Sequence, residues 1–363
     1  MFTAIFISCL MFFGAAYACT DFQLKATDGS IVIGRSMEFA MGIDSDIVTY
    51  PKTNEVTSLA ANGKKGIRWT PKYGYVGIDA FGEKMALLDG MNEAGLAVEF
   101  LWFTESQYAK AKNSNWLAIT DLGHWVLGNF STVSEVKNRI RQLTVIGAYV
   151  PQLKMVPGFH AAVHDAKGNN IVIEFINGET KVYDNPIGVM TNKPTFDWQL
   201  TNLRNYINLT PLDAEAKKIA GVNIAPAGSS SGWLGMPGDW TPPSRFVRTA
   251  MMVHSADPVK DGEAAVNLAE HILNANDIPK GVVKTATKIN KVINKMMVDY
   301  TQWIVIKDLT NKVMYFRSYQ DLALKKVDLK QLNLNQGAMI KSLHIEDGSK
   351  SILDKTDKLI SQF

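Results

Sequence analysis

The sequence predicts an α+β fold built on antiparallel sheet. Turn signals join its strand-like runs into hairpins, and hairpins require antiparallel pairing. Its helical patterns also fall in separate blocks instead of alternating with strands, as they would in a wound parallel sheet.

Four hairpins can be read in order. Ile31 to Phe39 follows the turn Thr27-Asp28-Gly29-Ser30. Met85 to Leu88 and Leu96 to Phe103 flank Asn92-Glu93-Ala94-Gly95. Ile171 to Ile176 and Lys181 to Tyr183 flank Asn177-Gly178, the strongest short turn signal in the chain. Trp303 to Ile306 and Val313 to Tyr319 flank Asp308 to Asn311. Between them, Thr132-Val133-Ser134-Glu135 reads as a capping box, followed by Val136, Ile140 and Leu143 at helical spacing. Glu263 to Ala275 puts Ala265, Leu268 and Ile272 on one helix face. Ala227 to Trp240, rich in Gly, Ser and Pro, reads as a long loop bordering a pocket. No repeat or linker divides the chain. The domain is expected over residues 19–340, after an 18-residue leader and before a peripheral tail, 341–363.

Composition narrows the function classes. Of 363 residues, 46% are hydrophobic and 20% charged, enough for a full globular core. A net charge of +3 gives no electrostatic case for nucleic acid or for an anionic membrane. No stretch after the leader reaches the 18 or so apolar residues of a membrane span.

The leader makes Cys19 the most informative residue. Met1 to Ala18 has no Asp, Glu, Lys or Arg and ends in Ala16-Tyr17-Ala18, a small-x-small signal-peptidase pattern. The protein is therefore expected to be exported, to a periplasm or to the medium. The only other cysteine, Cys9, lies inside the leader, so the mature chain keeps one thiol and no intramolecular disulfide. Cleavage after Ala18 gives Cys19 a free α-amine titrating near 7.7–8.0 next to its thiol, a base and a nucleophile on one residue. The run Ala16-Tyr17-Ala18-Cys19 is also similar to a lipoprotein junction. A lipid-anchored binding protein without catalysis is the alternative reading.

Further segments complete a pattern in order along the chain: Gly34-Arg35-Ser36-Met37-Glu38-Phe39, Asn92-Glu93-Ala94-Gly95-Leu96, Thr191-Asn192-Lys193-Pro194, Pro243-Ser244-Arg245-Phe246, and the final hairpin. With Cys19-Thr20 they resemble the choloylglycine hydrolase family of the N-terminal nucleophile hydrolases, from Cys19 to Tyr319. That family comprises conjugated bile salt hydrolases and penicillin V acylases. The resemblance implies a four-layer αββα fold with two stacked antiparallel sheets, often assembled as tetramers. It implies cleavage of a small-molecule N-acyl amide, with no metal or cofactor. It also implies site roles: Cys19 as nucleophile with its amine as base, Arg35 beside the thiol, Asn192 as an oxyanion donor, and Arg245 near the nucleophile. Two cations near Cys19 are expected to lower its thiol pKa.

Two positions depart from the bile salt hydrolase pattern. Glu38 stands where Asp is usual, one methylene longer. Trp102 stands where Asn is usual, at the position whose backbone N–H supplies the second oxyanion donor. The added aromatic shifts the expected substrate from bile salts toward penicillin V, acyl homoserine lactones and related acyl amides. The six histidines form no metal pattern. On a strand, His160 and His164 share a face about 13 Å apart. The sequon Asn208-Leu209-Thr210 carries no expected function.

Overall fold

A computed structural model describes residues 18–60, 63–82, 87–289, 292–346, 348 and 352–360. The leader through Tyr17, and Met85 and Ala86 of the expected Met85 to Leu88 run, lie outside the described residues. Two antiparallel sheets dominate. In chain order their strands are β1 (Cys19–Lys25), β2 (Ile31–Phe39), β3 (Asp46–Tyr50), β4 (Tyr75–Ile78), β5 (Asp89–Asn92), β6 (Leu96–Trp102), β7 (Phe159–Asp165) and β8 (Asn170–Ile176). There follow β9 (Glu179–Asp184), β10 (Val189–Met190), β11 (Val283–Ile289), β12 (Val292–Asp308), β13 (Val313–Ser318), β14 (Lys325–Asp328) and β15 (Ser342–His344). The first sheet runs β10-β1-β2-β12-β13-β14, with β11 on β12; the second runs β9-β8-β7-β6-β5-β4-β3-β15.

Helices cover both outer faces. Two of them, α1 (Leu122–Asn129) and α2 (Val133–Ile140), pack on the second sheet. Another pair, α4 (Pro242–Ser255) and α5 (Gly262–Asn274), packs on the first, and the short α3 (Phe196–Asn202) precedes them in the chain. Alternation along β6 shows the layering. Leu96, Val98 and Phe100 pack with Trp125 and Val126 under the helices. Ala97 and Leu101 join Val76, Val305 and Ile304 in the other core. The expected αββα architecture is the observed one.

Local chemistry explains the recognised segments. Thr132 and Glu135 form the expected capping box at the start of α2. Asn92 ties the β5–β6 turn to the end of α1: its Nδ2 donates to the Leu127 and Phe130 carbonyls, and its Oδ1 accepts from Ala94 and Leu96 N–H. Gly95 in that turn has φ +84°, and a Cβ there would sit 2.3 Å from the Leu309 carbonyl oxygen. That motif is structural. The expected tail begins with β15, an exposed edge strand on β3.

Candidate active site

Cys19 opens β1, paired with Met37 of β2. One strand over, Val189 and Met190 of β10 pair with Phe22 and Asp21, which carries the chain to Asn192. Pro242 starts α4 at a position that needs no donor, and Arg245 follows one turn in. Together these elements bring Cys19, Glu38, Trp102, Asn192 and Arg245 into one buried cluster, with Arg35 beneath it.

Asn192 is the hub. Its Oδ1 accepts from the Cys19 nitrogen at 2.8 Å and from Arg245 Nη2 at 2.8 Å. Its Nδ2 donates to the Trp102 carbonyl at 2.8 Å, leaving one Nδ2 hydrogen. Arg245 also donates to the Cys19 carbonyl, to Thr20 Oγ1 at 2.7 Å and, through Nε, to the Trp240 carbonyl. Trp102 opposes Phe159, while the Phe103 N–H donates to Gly158. Antiparallel alternation therefore turns the Trp102 N–H and carbonyl away from β7, to the side where Asn192 sits.

The thiol is 2% exposed, with Sγ 3.8 Å from Met37 Sδ. Burial raises its pKa; the Arg35 charge opposes this, the Glu38 charge adds to it, and Arg245 opposes more weakly. The expected depression by two cations is thus overturned, because desolvation outweighs both guanidinium charges. Glu38 does not reach the Cys19 nitrogen. Its oxygens accept from Thr301 Oγ1 at 2.7 Å and Ser36 Oγ at 3.1 Å. Burial lifts this carboxyl to about 8, against the Arg245 charge and the two hydroxyls. Asp299 on β12, not singled out in the sequence, is likewise lifted to about 7 by burial against Arg245.

Beside the thiol lies a small apolar pocket of about 30 Å³, lined by Met37, Phe39, Phe81, Phe100, Trp102 and Phe159 among others. Trp102 meets Phe39 and Phe159 edge-on at 5.6 and 5.5 Å. The loop 227–240, expected to border a pocket, does not line this one; it touches the site only through Trp240 and is otherwise largely exposed. A larger concavity of about 790 Å³, around Gln23, Lys137 and His254, lies apart from the thiol.

Arg35 donates from Nη2 to the Phe100 carbonyl at 2.6 Å and lies 4.8 Å over the Trp303 ring. Its Nε is 3.7 Å from Asp89. His164, expected to be structural or on the surface, is fully buried with Asp21 and Glu99. Among the described residues these three alone have metal-ligand spacing, and the Lys307 ammonium already stands 2.5 Å from Glu99.

The profile of the "Linear amide C-N hydrolases, choloylglycine hydrolase family" matches residues 19–343. The chain belongs to the choloylglycine hydrolase family. It is 29% identical over 325 residues to a bile salt hydrolase/transferase of Clostridium perfringens, covering 87% of this chain and 94% of that one. It is 28% identical to a penicillin V acylase of Pectobacterium atrosepticum, covering 83% and 78%. The crystal structure of a mutant conjugated bile acid hydrolase from Clostridium perfringens superposes with TM-score 0.80 at 28% identity, covering 93% and 99%. Penicillin V acylase from Agrobacterium tumefaciens shares the fold, with TM-score 0.72 at 24% identity over 90% and 91%.

Proposed function

We propose that this protein is an exported amidohydrolase whose nucleophile is created when the leader is removed before Cys19. In the full chain the Cys19 nitrogen is acylated by Ala18 and its N–H donates to Asn192. Once freed, the amine keeps that hydrogen bond, so its lone pair can be aimed at the thiol. The Arg245 guanidinium beside the Cys19 carbonyl disfavours an ammonium and keeps the amine in its neutral form, ready to take a proton. The amine takes the thiol proton as Sγ attacks the substrate carbonyl. The remaining Nδ2 hydrogen of Asn192 and the Trp102 N–H then hold the oxyanion. Collapse expels the amine product, which receives the proton from the Cys19 amine, and water hydrolyses the thioester. Because burial raises the thiol pKa, proton transfer accompanies attack instead of preceding it.

We read the substrate as an amide with a slender aromatic or alkyl acyl group, such as penicillin V or an acyl homoserine lactone, in preference to a bile salt. The aromatic wall that Phe39, Phe100, Trp102 and Phe159 form beside the thiol carries this reading. Flat aryl and flexible alkyl groups can lie against such an apolar wall more readily than a rigid steroid nucleus can. The burial of Cys19, 2% exposed, argues against a diacylglyceryl group on Sγ. Exposed Ile207, Leu212, Ile219, Val222, Ile224 and Leu234 favour a homo-oligomer, a tetramer by family resemblance. Light scattering of the purified mature protein checks that state. The substrate test is a panel of glyco- and tauro-conjugated bile salts, penicillin V and acyl homoserine lactones at equal concentration. The reading predicts the highest kcat/KM among the last two classes; a preference for bile salts overturns it.

A further inference from the structure

Between the two sheets, behind the site, six fully buried residues form a ring of charges. Asp89 and Glu99 are direct cross-strand partners on β5 and β6, a pairing of like charges that destabilises a sheet unless it is neutralised. Lys307 of β12 bridges them, with Nζ 2.6 Å from Asp89 and 2.5 Å from Glu99. His164 continues the ring from Glu99, at 3.6 Å, to Asp21, at 3.0 Å. Asp21 stands opposite Arg35 in the β1–β2 register, and Arg35 returns to Asp89 at 3.7 Å.

The ring is neutral when one proton resides on the His164–Glu99 pair. Arg35 and Lys307 then supply two positive charges, and Asp21, Asp89 and the singly protonated pair sum to minus two. Both members of the pair favour that proton. Burial alone disfavours the imidazolium, but the Asp21 and Glu99 carboxylates lift His164 above its ordinary value, against Lys307. Burial lifts Glu99 to about 7 against Lys307 and His164.

Asp89 is thus shared between two cations, one structural and one at the site. We propose that Lys307 is a positioning residue for the reaction: by neutralising Asp89 it limits how far that carboxylate draws the Arg35 guanidinium away from the Cys19 thiol. This rests on the reading of Cys19 as nucleophile. Without Lys307, Asp89 turns wholly to Arg35, and the thiol loses the strongest charge favouring its ionised form.

The mature enzyme has one thiol, so iodoacetamide alkylation reports Cys19 alone. Lys307 lies two strands across and four residues along from Cys19, about 16 Å. At an effective dielectric of about 20, losing its charge alone slows alkylation at pH 7 about fivefold. Displacement of Arg35 lowers kcat by up to about 100-fold with KM little changed. Lys307→Met is expected to show both effects, Lys307→Arg to recover most of the loss, and Asp89→Asn added to Lys307→Met to restore alkylation. A folded Lys307→Met protein with wild-type alkylation and kcat overturns the proposal, as does a double variant that stays slow. If Lys307→Met fails to fold, Asp89→Asn alone carries the test: alkylation as fast as wild type or faster supports it, and slower alkylation refutes it. Full hydrolysis by Cys19→Ser would instead mark failure of the nucleophile reading.

Discussion

Asn192→Asp changes one atom and separates the two tasks of this side chain. The acceptor toward Cys19 N and Arg245 Nη2 is kept, while the Nδ2 donor becomes an oxygen. That oxygen faces the Trp102 carbonyl, which Nδ2 met at 2.8 Å. Losing one hydrogen bond costs about 1 kcal/mol, and setting two acceptors against each other adds the desolvation cost of a stranded carbonyl, about 1–3 kcal/mol. The neighbouring Arg245 offsets part of this by pairing with the new charge. Net destabilisation should therefore be small, roughly 1–2 kcal/mol, and readable as a modest fall in Tm. Catalysis suffers far more. Removing one preorganised oxyanion donor lowers kcat about 100 to 1000-fold, and a carboxylate also repels the developing anion. The assay is single-turnover hydrolysis of penicillin V beside thermal melting of the same sample. A folded Asn192→Asp protein with kcat within threefold of wild type refutes the donor role. Equal losses in kcat and in folded fraction would reduce Asn192 to a structural hub.

Other outcomes follow from the same geometry. Arg245→Lys cannot reproduce contacts to Cys19, Thr20, Asn192 and Trp240 at once, and should cost roughly 3 kcal/mol by denaturant unfolding. Trp102→Ala keeps the backbone N–H but opens the pocket; it should destabilise by about 3–5 kcal/mol and raise relative kcat/KM for bile salts over penicillin V. An unchanged preference would mean that another wall sets specificity. Glu38 binds its proton more tightly folded than unfolded, since its folded value of about 8 exceeds the ordinary carboxylate value. Stability of the chain still bearing Ala18 should therefore decline as pH rises from about 4.5 to 8, and Glu38→Gln should flatten that decline in Tm.

The sequence revealed the fold where local chemistry was decisive. Ile31–Phe39 coincides with β2, and the capping box and the Glu263 to Ala275 block became α2 and α5 with ends shifted by a residue or so. Helix α1 left no such signal: Leu122 through Gly128 are buried, so no polar face marks its period, and two glycines interrupt it. The cluster around Cys19 was legible because each member sits in its own short segment. The ring behind it was not, because its members come from six strands: Arg35 was read only for its place beside the thiol, and Asp21, Asp89, Glu99, His164 and Lys307 each alone read as a stray polar residue in a strand. The thiol pKa was misjudged for a similar reason. Nearby charges can be inferred from a motif, but the depth of burial that outweighs them depends on the packing of both sheets.

Intact mass of the protein purified after expression with its leader, before and after a brief exposure to penicillin V, tests the nucleophile most directly. The account predicts a chain beginning at an unmodified Cys19, a transient increment equal to the acyl group, and no increment in Cys19→Ser. An active enzyme that still carries Ala18, or one bearing a lipid on Cys19, would contradict it.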